Sequence, residues 1–253
     1  MTGLNQPVSL TLDASKALHV ANFATNSITV FAAGANGNVM PTITISGSST
    51  TLNGPVGIAV DSGGKTYVAN WTTNSIAIFA AGASGNAVPA RTISGPNTTL
   101  TEPISVVLDA SKSMYVANFG ANSVLVFASG AHGNVNPIRT IIGSSTGLFS
   151  PGGLAIDHTG RLWVTNYSAN SVTAYPSGAN GDVAPVVSIV GSKTGLTTPT
   201  GVAFDSVGKI YVTNRDNNSV TVYAANANGN VAPLHTLVGT NTLLHLPAGM
   251  ALR

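Results

Sequence analysis

Side chains able to move a proton are scarce in this chain. Glu102 is the only glutamate, and five of the seven aspartates (Asp13, Asp61, Asp109, Asp157 and Asp205) recur at an interval of 48 residues. A catalytic group is needed once, whereas a residue written five times at constant spacing serves something every unit needs, and in a turn that is the capping of backbone amides. Setting those five aside leaves Glu102, Asp182 and Asp216 as acids, with His19, His132, His158, His235 and His245 beside them. The histidines fall at five different positions of the repeat, which is poor material for a metal cluster. Glu102, Arg215, Asp216 and His245 remain the candidates for acid–base catalysis, on the condition that a pair comes within hydrogen-bond reach.

A second set of residues is repeated rather than unique. The position after a recurring asparagine (Asn22, Asn70, Asn118, Asn166, Asn214) holds Phe23, Trp71, Phe119, Tyr167 and then Arg215. Four flat rings and one guanidinium at one position would form a ring of ligand-binding side chains, suited to stacking on a sugar or on a peptide side chain. The packing alternative is that each ring lies beneath the Ser/Thr-rich loop that joins successive units, such as residues 46–54. His19 takes the place of Tyr67, Tyr115, Trp163 and Tyr211 and reads as a packed substitute for an aromatic ring.

These residues are positioned by a short unit written five times. Pro7, Pro55, Pro103, Pro151, Pro199 and Pro247 open the units, giving boundaries 7–54, 55–102, 103–150, 151–198 and 199–246 with a partial unit at 247–253. A period of this length is that of β-propeller blades, each a small sheet that cannot bury both faces until neighbours stack on it. In the second unit, Val56–Val60, Thr66–Ala69, Ser75–Phe79 and Ala90–Ile93 alternate and are rich in β-branched residues, so they read as four strands of one antiparallel blade. Asp61-Ser-Gly-Gly-Lys65 is a hairpin turn; Lys16 and Lys112 stand where Gly64 does and imply either a small strain or a different turn geometry. Asn70 and Asn74 bracket the loop from second to third strand, where short amides can bond backbone groups that no strand satisfies. If the first strand of each blade lines the axis, the loops between blades and those from second to third strand share one end. Glu102, Arg215, Asp216 and His245 all fall at that end, and Asp182, His132 and His158 at the other.

Composition agrees with one packed, repetitive domain over 1–253. Hydrophobic residues make up 43 %, but charged residues only 7 %, against ~25 % in an ordinary soluble domain. A net charge of +2 without a basic stripe argues against nucleic acid as a partner. No stretch approaches the ~20 apolar residues of a membrane span. Cysteine is absent, which removes disulfides and cysteine-based metal or redox sites. Met1-Thr-Gly-Leu-Asn5 has neither the charged start nor the apolar segment of a signal peptide. The chain is then either cytoplasmic or secreted with its export signal absent here, and an extracytoplasmic location is the expectation.

The strings Pro55-Val-Gly-Ile-Ala-Val-Asp61, Gly64-Lys-Thr-Tyr-Val-Ala-Asn70 and Asn74-Ser-Ile-Ala-Ile-Phe79 resemble the NHL repeat and the related gluconolactonase-like and virginiamycin B lyase-like propellers. The resemblance covers essentially the whole chain. It implies an all-β propeller, and functions ranging from protein- or RNA-binding scaffolds and sensors to lyases and lactonases. The enzymes of the group hold a divalent metal with acidic, Asn or His ligands, and no such motif carries over residue by residue onto this sequence. NHL rings most often have six blades, and their loops carry more charge than these.

The expected architecture is a β-propeller of five four-stranded antiparallel blades with an additional inner-strand segment at the end of the chain; a six-bladed ring is the alternative. In a closed five-bladed ring, Val8–Leu12 and Gly249–Leu252 would compete for one place; in a six-bladed ring the last blade would lack three strands, and its unpaired terminal edges would invite self-association. The expected function is a non-catalytic binding or scaffold propeller, without cofactor or metal, presenting one loop face to a glycan or a protein. The alternative is a propeller lyase or hydrolase built on Glu102, Arg215, Asp216 and His245.

Overall fold

The computed structural model describes residues 1–252. They form an all-β fold of five four-stranded antiparallel sheets, each hydrogen-bonded in chain order, which are the five blades of a β-propeller. The second blade consists of Pro55–Val60, Thr66–Asn70, Ser75–Phe79 and Arg91–Ile93. Proline lacks the N–H of a ladder residue and tolerates the first position of an edge strand, which is where Pro55 sits. Directly after it the register slips, from Pro55 opposite Asn70 to Gly57 opposite Ala69. Such a bulge bends the strand and increases its twist.

Every residue of Ser75–Phe79 is buried, polar-facing positions included, because both faces of the blade are covered. The covering is by the neighbouring blades. The chain groups into two compact units, one of Met1–Val116 with Phe127–Pro137, the other of Ala117–Val126 with the chain from Ile138 onward. In the first, Ile28 and Ile45 from the first blade pack with Ile58, Val68 and Phe79 from the second. In the second unit, Val172 and Ile189 from the fourth blade pack with Val202, Ile210 and Tyr223 from the fifth. At ~25 cal/mol per Å2 of apolar surface removed from water, these shared layers are what a single blade lacks.

At Gly57 and Gly201 the inner strands approach closely enough to leave no room for a Cβ. A Cβ on Gly57 would come within 2.8 Å of the Ile104 carbonyl oxygen, and one on Gly201 within 2.7 Å of that of Ala248. The two positions are equivalent, so residues 247–252, which belong to no strand, lie where the inner strand of a following blade would lie. Thr200 Oγ1 donates to the Pro247 carbonyl and Thr213 Oγ1 to that of Ala248, both at 2.9 Å. Pro7–Leu12 has its own place as the inner strand of the first blade.

Candidate ligand-binding face

Two sets of asparagines shape the loop end of the blades. The first is buried at the end of each second strand: Oδ1 of Asn22, Asn70, Asn166 and Asn214 accepts from the N–H of Asn5, Asn53, Phe149 and Thr197 at 3.1–3.3 Å. Their Nδ2 groups donate to hydroxyls of the next strand, as Asn70 does to Ser75 and Asn166 to Ser171 and Thr173. The second set, Asn26, Asn74, Asn122, Asn170 and Asn218, adopts the left-handed conformation that asparagine tolerates best among residues with a Cβ. Their Oδ1 atoms accept from the N–H of Gly54, Glu102, Ser150, Thr198 and Leu246 at 2.6–2.7 Å. The inter-blade loops and the loops from second to third strand are therefore tied together at one end, as the topology demands.

Between these two anchors stands the aromatic position. Trp71 N–H donates to the Gly54 carbonyl at 3.0 Å, and Tyr167 and Arg215 make the same bond to Ser150 and Thr198. In the first unit the rings of Phe23 and Trp71 lie 5.9 Å apart, tilted by 48°. In the second, Phe119 and Tyr167 meet edge to face at 5.9 Å, and Arg215 Nη1 donates to the Tyr167 hydroxyl at 3.1 Å. Within each unit, then, these side chains touch: Phe23 with Trp71 in the first, Phe119 with Tyr167 and Tyr167 with Arg215 in the second. They are not sealed under the loops: Trp71 is 38 % exposed, and Phe23, Phe119, Tyr167 and Arg215 are half-buried. Phe23 does also border the inter-blade loop, with Cε2 3.2 Å from where a Cβ of Gly54 would be.

The acid–base candidates are less concerted. Arg215 and Asp216 form a loose ion pair at 3.7 Å, and Asp216 Oδ2 accepts from Thr198 Oγ1 at 2.6 Å. His245 is exposed in the loop that follows the fifth blade. Glu102, in the first unit, sits half-buried with φ +50°, its backbone held by Asn74. No group of three or more His, Asp or Glu side chains stands close enough to hold a metal among the described residues. Asp182, a spare acid by composition, has a structural use: Oδ1 accepts from Ser145 N–H at 2.7 Å and Oδ2 from Ser145 Oγ at 3.2 Å.

The turn aspartates cap their hairpins. Asp61 Oδ1 accepts from Gly63 and Lys65 N–H at 2.8 and 3.0 Å, and Asp157 does the same for Thr159 and Arg161. Lys16 and Lys112 occupy the left-handed turn position, at φ 66° and 63°. Sequence reasoning missed the second carboxylate oxygen. It faces a donor six residues on, namely the Tyr67 hydroxyl, Trp163 Nε1, the Tyr211 hydroxyl or His19 Nε2, at 3.3, 2.8, 3.4 and 3.2 Å. His19 is buried and so replaces an aromatic donor as well as an aromatic volume. The available signal was that every side chain at this position carries a polar tip. For Asp157, burial alone would raise the carboxyl, but hydrogen bonds from Thr159, Trp163 and Arg161 hold it well below the usual range. Asp13, where burial is outweighed by bonds from Ser15, His19 and backbone amides, is lowered to about 2.

With the geometry in hand, comparison with known proteins places the chain. The family described as lactonase, 7-bladed beta-propeller, matches residues 1–243. No curated protein sequence matches at a significant level. Among solved structures, a catalytically inactive virginiamycin B lyase from Staphylococcus aureus with quinupristin superposes with a TM-score of 0.66 at 13 % identity, over 89 % of this chain and 69 % of that one. A propeller in a nidogen/laminin complex does so with a TM-score of 0.67 at 18 % identity, over 96 % and 83 %. Likeness at such identity is likeness of fold.

Proposed function

The chain belongs to the family described as lactonase, 7-bladed beta-propeller, and on the five blades it carries we propose that it works as a non-catalytic binding module, taking a glycan across its aromatic positions. The observation that carries this reading is the partly exposed row itself: Phe23 against Trp71, and Phe119 against Tyr167 with Arg215 on its hydroxyl. A sugar presents flat C–H faces that stack on such rings, and neighbouring hydroxyls find the amide-rich loops. A protein partner is the other ligand class, as the nidogen propeller's complex with laminin illustrates for that protein. A glycan array probed with wild type, Trp71→Ala and Tyr167→Ala tests it. Loss of one stacked ring is expected to weaken binding about tenfold, from ~1.4 kcal/mol of contact. Glycan binding indifferent to both substitutions, or none at all, overturns the glycan reading.

The family's description favours a second reading, hydrolysis of a lactone by Glu102, Arg215, Asp216 and His245. Under the binding reading, Glu102→Ala and His245→Ala leave every activity unchanged; lactone turnover lost in either variant establishes the enzyme instead.

A further inference from the structure

At the position that carries Phe23, Trp71, Phe119 and Tyr167, the fifth blade carries Arg215. Of the side chains that could replace a ring, arginine alone keeps a flat face while adding a permanent charge and a fork of donors. The loop around it is built as in the other blades. Arg215 N–H donates to the Thr198 carbonyl at 3.1 Å, Asn218 N–H donates to the Arg215 carbonyl at 3.4 Å, and Asn170 Oδ1 accepts from Thr198 N–H at 2.7 Å. The replacement therefore changes the chemistry offered at this position and leaves its frame as it is.

Within the second compact unit the guanidinium is held at one corner. Nη1 donates to the Tyr167 hydroxyl at 3.1 Å and lies 3.7 Å from Asp216 Oδ1, too far for a hydrogen bond. Asp216 is itself engaged, because its Oδ2 accepts from Thr198 Oγ1 at 2.6 Å. No other hydrogen bond or ion pair holds the Arg215 side chain among the described residues, so the edge formed by Nε and Nη2 is left to solvent on a side chain that is 40 % exposed. Two parallel N–H donors on one edge match the two oxygens of a carboxylate, and the bonded Nη1 corner keeps the fork from turning. Tyr167 is touched by Phe119 on one side and by Arg215 on the other, yet it is half-buried rather than sealed. A neighbour on each side thus leaves a position of this row open.

We propose that the second compact unit takes a sugar acid, its ring stacked on Tyr167 and Phe119 and its carboxylate held by the Nε and Nη2 edge of Arg215. This rests on the glycan reading above and narrows it to uronates. The first compact unit has only the rings of Phe23 and Trp71 at these positions and so meets uncharged sugar faces. The second adds the one group that tells an acid from its neutral counterpart. Asp216 works against it, since its side chain is 50 % exposed beside the same guanidinium and repels a second anion. That repulsion disfavours a doubly charged phosphate more than a singly charged carboxylate, which selects the acid.

Calorimetric titration with trisaccharides of galacturonate, glucuronate and mannuronate, each as the free acid and as its methyl ester, tests it on wild type, Arg215→Gln and Asp216→Asn. Esterification keeps the ring and removes the charge. For at least one of the sugars, wild type is expected to bind the acid about tenfold more tightly than the ester. Arg215→Gln abolishes that preference while the ester still binds, and Asp216→Asn enlarges it about threefold. Acid and ester bound equally by wild type overturn the proposal and leave the glycan reading standing. Binding of neither form overturns it too, and an empty glycan array then removes the glycan reading with it. A preference that survives Arg215→Gln, in a variant of unchanged melting temperature, puts the carboxylate elsewhere and overturns the assignment. A glutamate-rich peptide bound as tightly as the acids, with the same dependence on Arg215, makes the partner a protein and overturns the sugar.

Discussion

Asp157→Ala separates a turn residue from a residue that holds the core. Asp157 accepts five hydrogen bonds, from the N–H and Oγ1 of Thr159, the N–H and Nε of Arg161, and Trp163 Nε1. After truncation the exposed Thr159 and half-exposed Arg161 can turn to water, but Trp163 is 1 % exposed and its indole N–H would be orphaned. An unsatisfied buried donor costs about 1–3 kcal/mol, and the loss of charge-assisted bonds adds to it, so a total near 3 kcal/mol is expected. Trp163→Phe removes the donor itself and some packing against Phe204, whose ring lies 5.3 Å away. In the double variant the orphan no longer exists, so the two losses together fall short of their sum by about 1–2 kcal/mol. Chemical denaturation of the four proteins, followed by circular dichroism, measures the cycle. A loss below ~1 kcal/mol for Asp157→Ala, or additivity within ~0.5 kcal/mol, would refute the assignment of the carboxylate to the indole. Asp205→Ala is the internal control, because the Tyr211 hydroxyl is 3.4 Å away and half-buried, and its loss should be smaller.

Acid sensitivity follows from the same carboxylates. Those of Asp13 and Asp157 are depressed on folding, so their stabilisation is complete above the unfolded value of ~3.9 and disappears as pH falls through the folded one. That window runs from about 4 to about 2 for Asp13 and extends lower for Asp157; a denaturation midpoint unchanged between pH 5 and pH 2 contradicts it. Lys16→Gly should raise stability by about 0.5 kcal/mol, the relief of a left-handed side chain exceeding the added freedom of the unfolded chain. Thermal melting reads the sign, and a decrease shows that Lys16 makes a compensating contact.

The blades were legible because everything that specifies them is local. Alternating β-branched runs, the turn aspartate and the proline that opens each blade act within a few residues, and the fixed period aligns five copies of weak signals. What joins one unit to the next was not legible in the same way. Ser49 and Asn86 are 37 positions apart, and nothing in either unit alone names the other. Asp182 shows the cost of reading composition before position: it looked like a spare acid, yet it stands where Asn86, Asn134 and Asn230 stand and accepts the same backbone bond. The aromatic row was visible as a repeated position, but the ring-to-ring contacts depend on blade spacing, which the sequence does not print.

Low charge and high repetition have one physical origin. A repeated junction must be satisfied at every copy, and an amide oxygen accepts a backbone N–H without the desolvation penalty of an ion. Asparagine therefore does in this chain what ion pairs do elsewhere: Asn22 and its equivalents close the second strands, Asn26 and its equivalents tie the loops, and Asn86 and its equivalents lock the blades. Neutral acceptors also leave the junction indifferent to salt, since screening acts on charges. The junction at Asp182 is the exception, because a carboxylate there bonds both Ser145 N–H and Ser145 Oγ. It gains a charged acceptor, whose bonds are stronger than those of the neutral amide at the other three junctions.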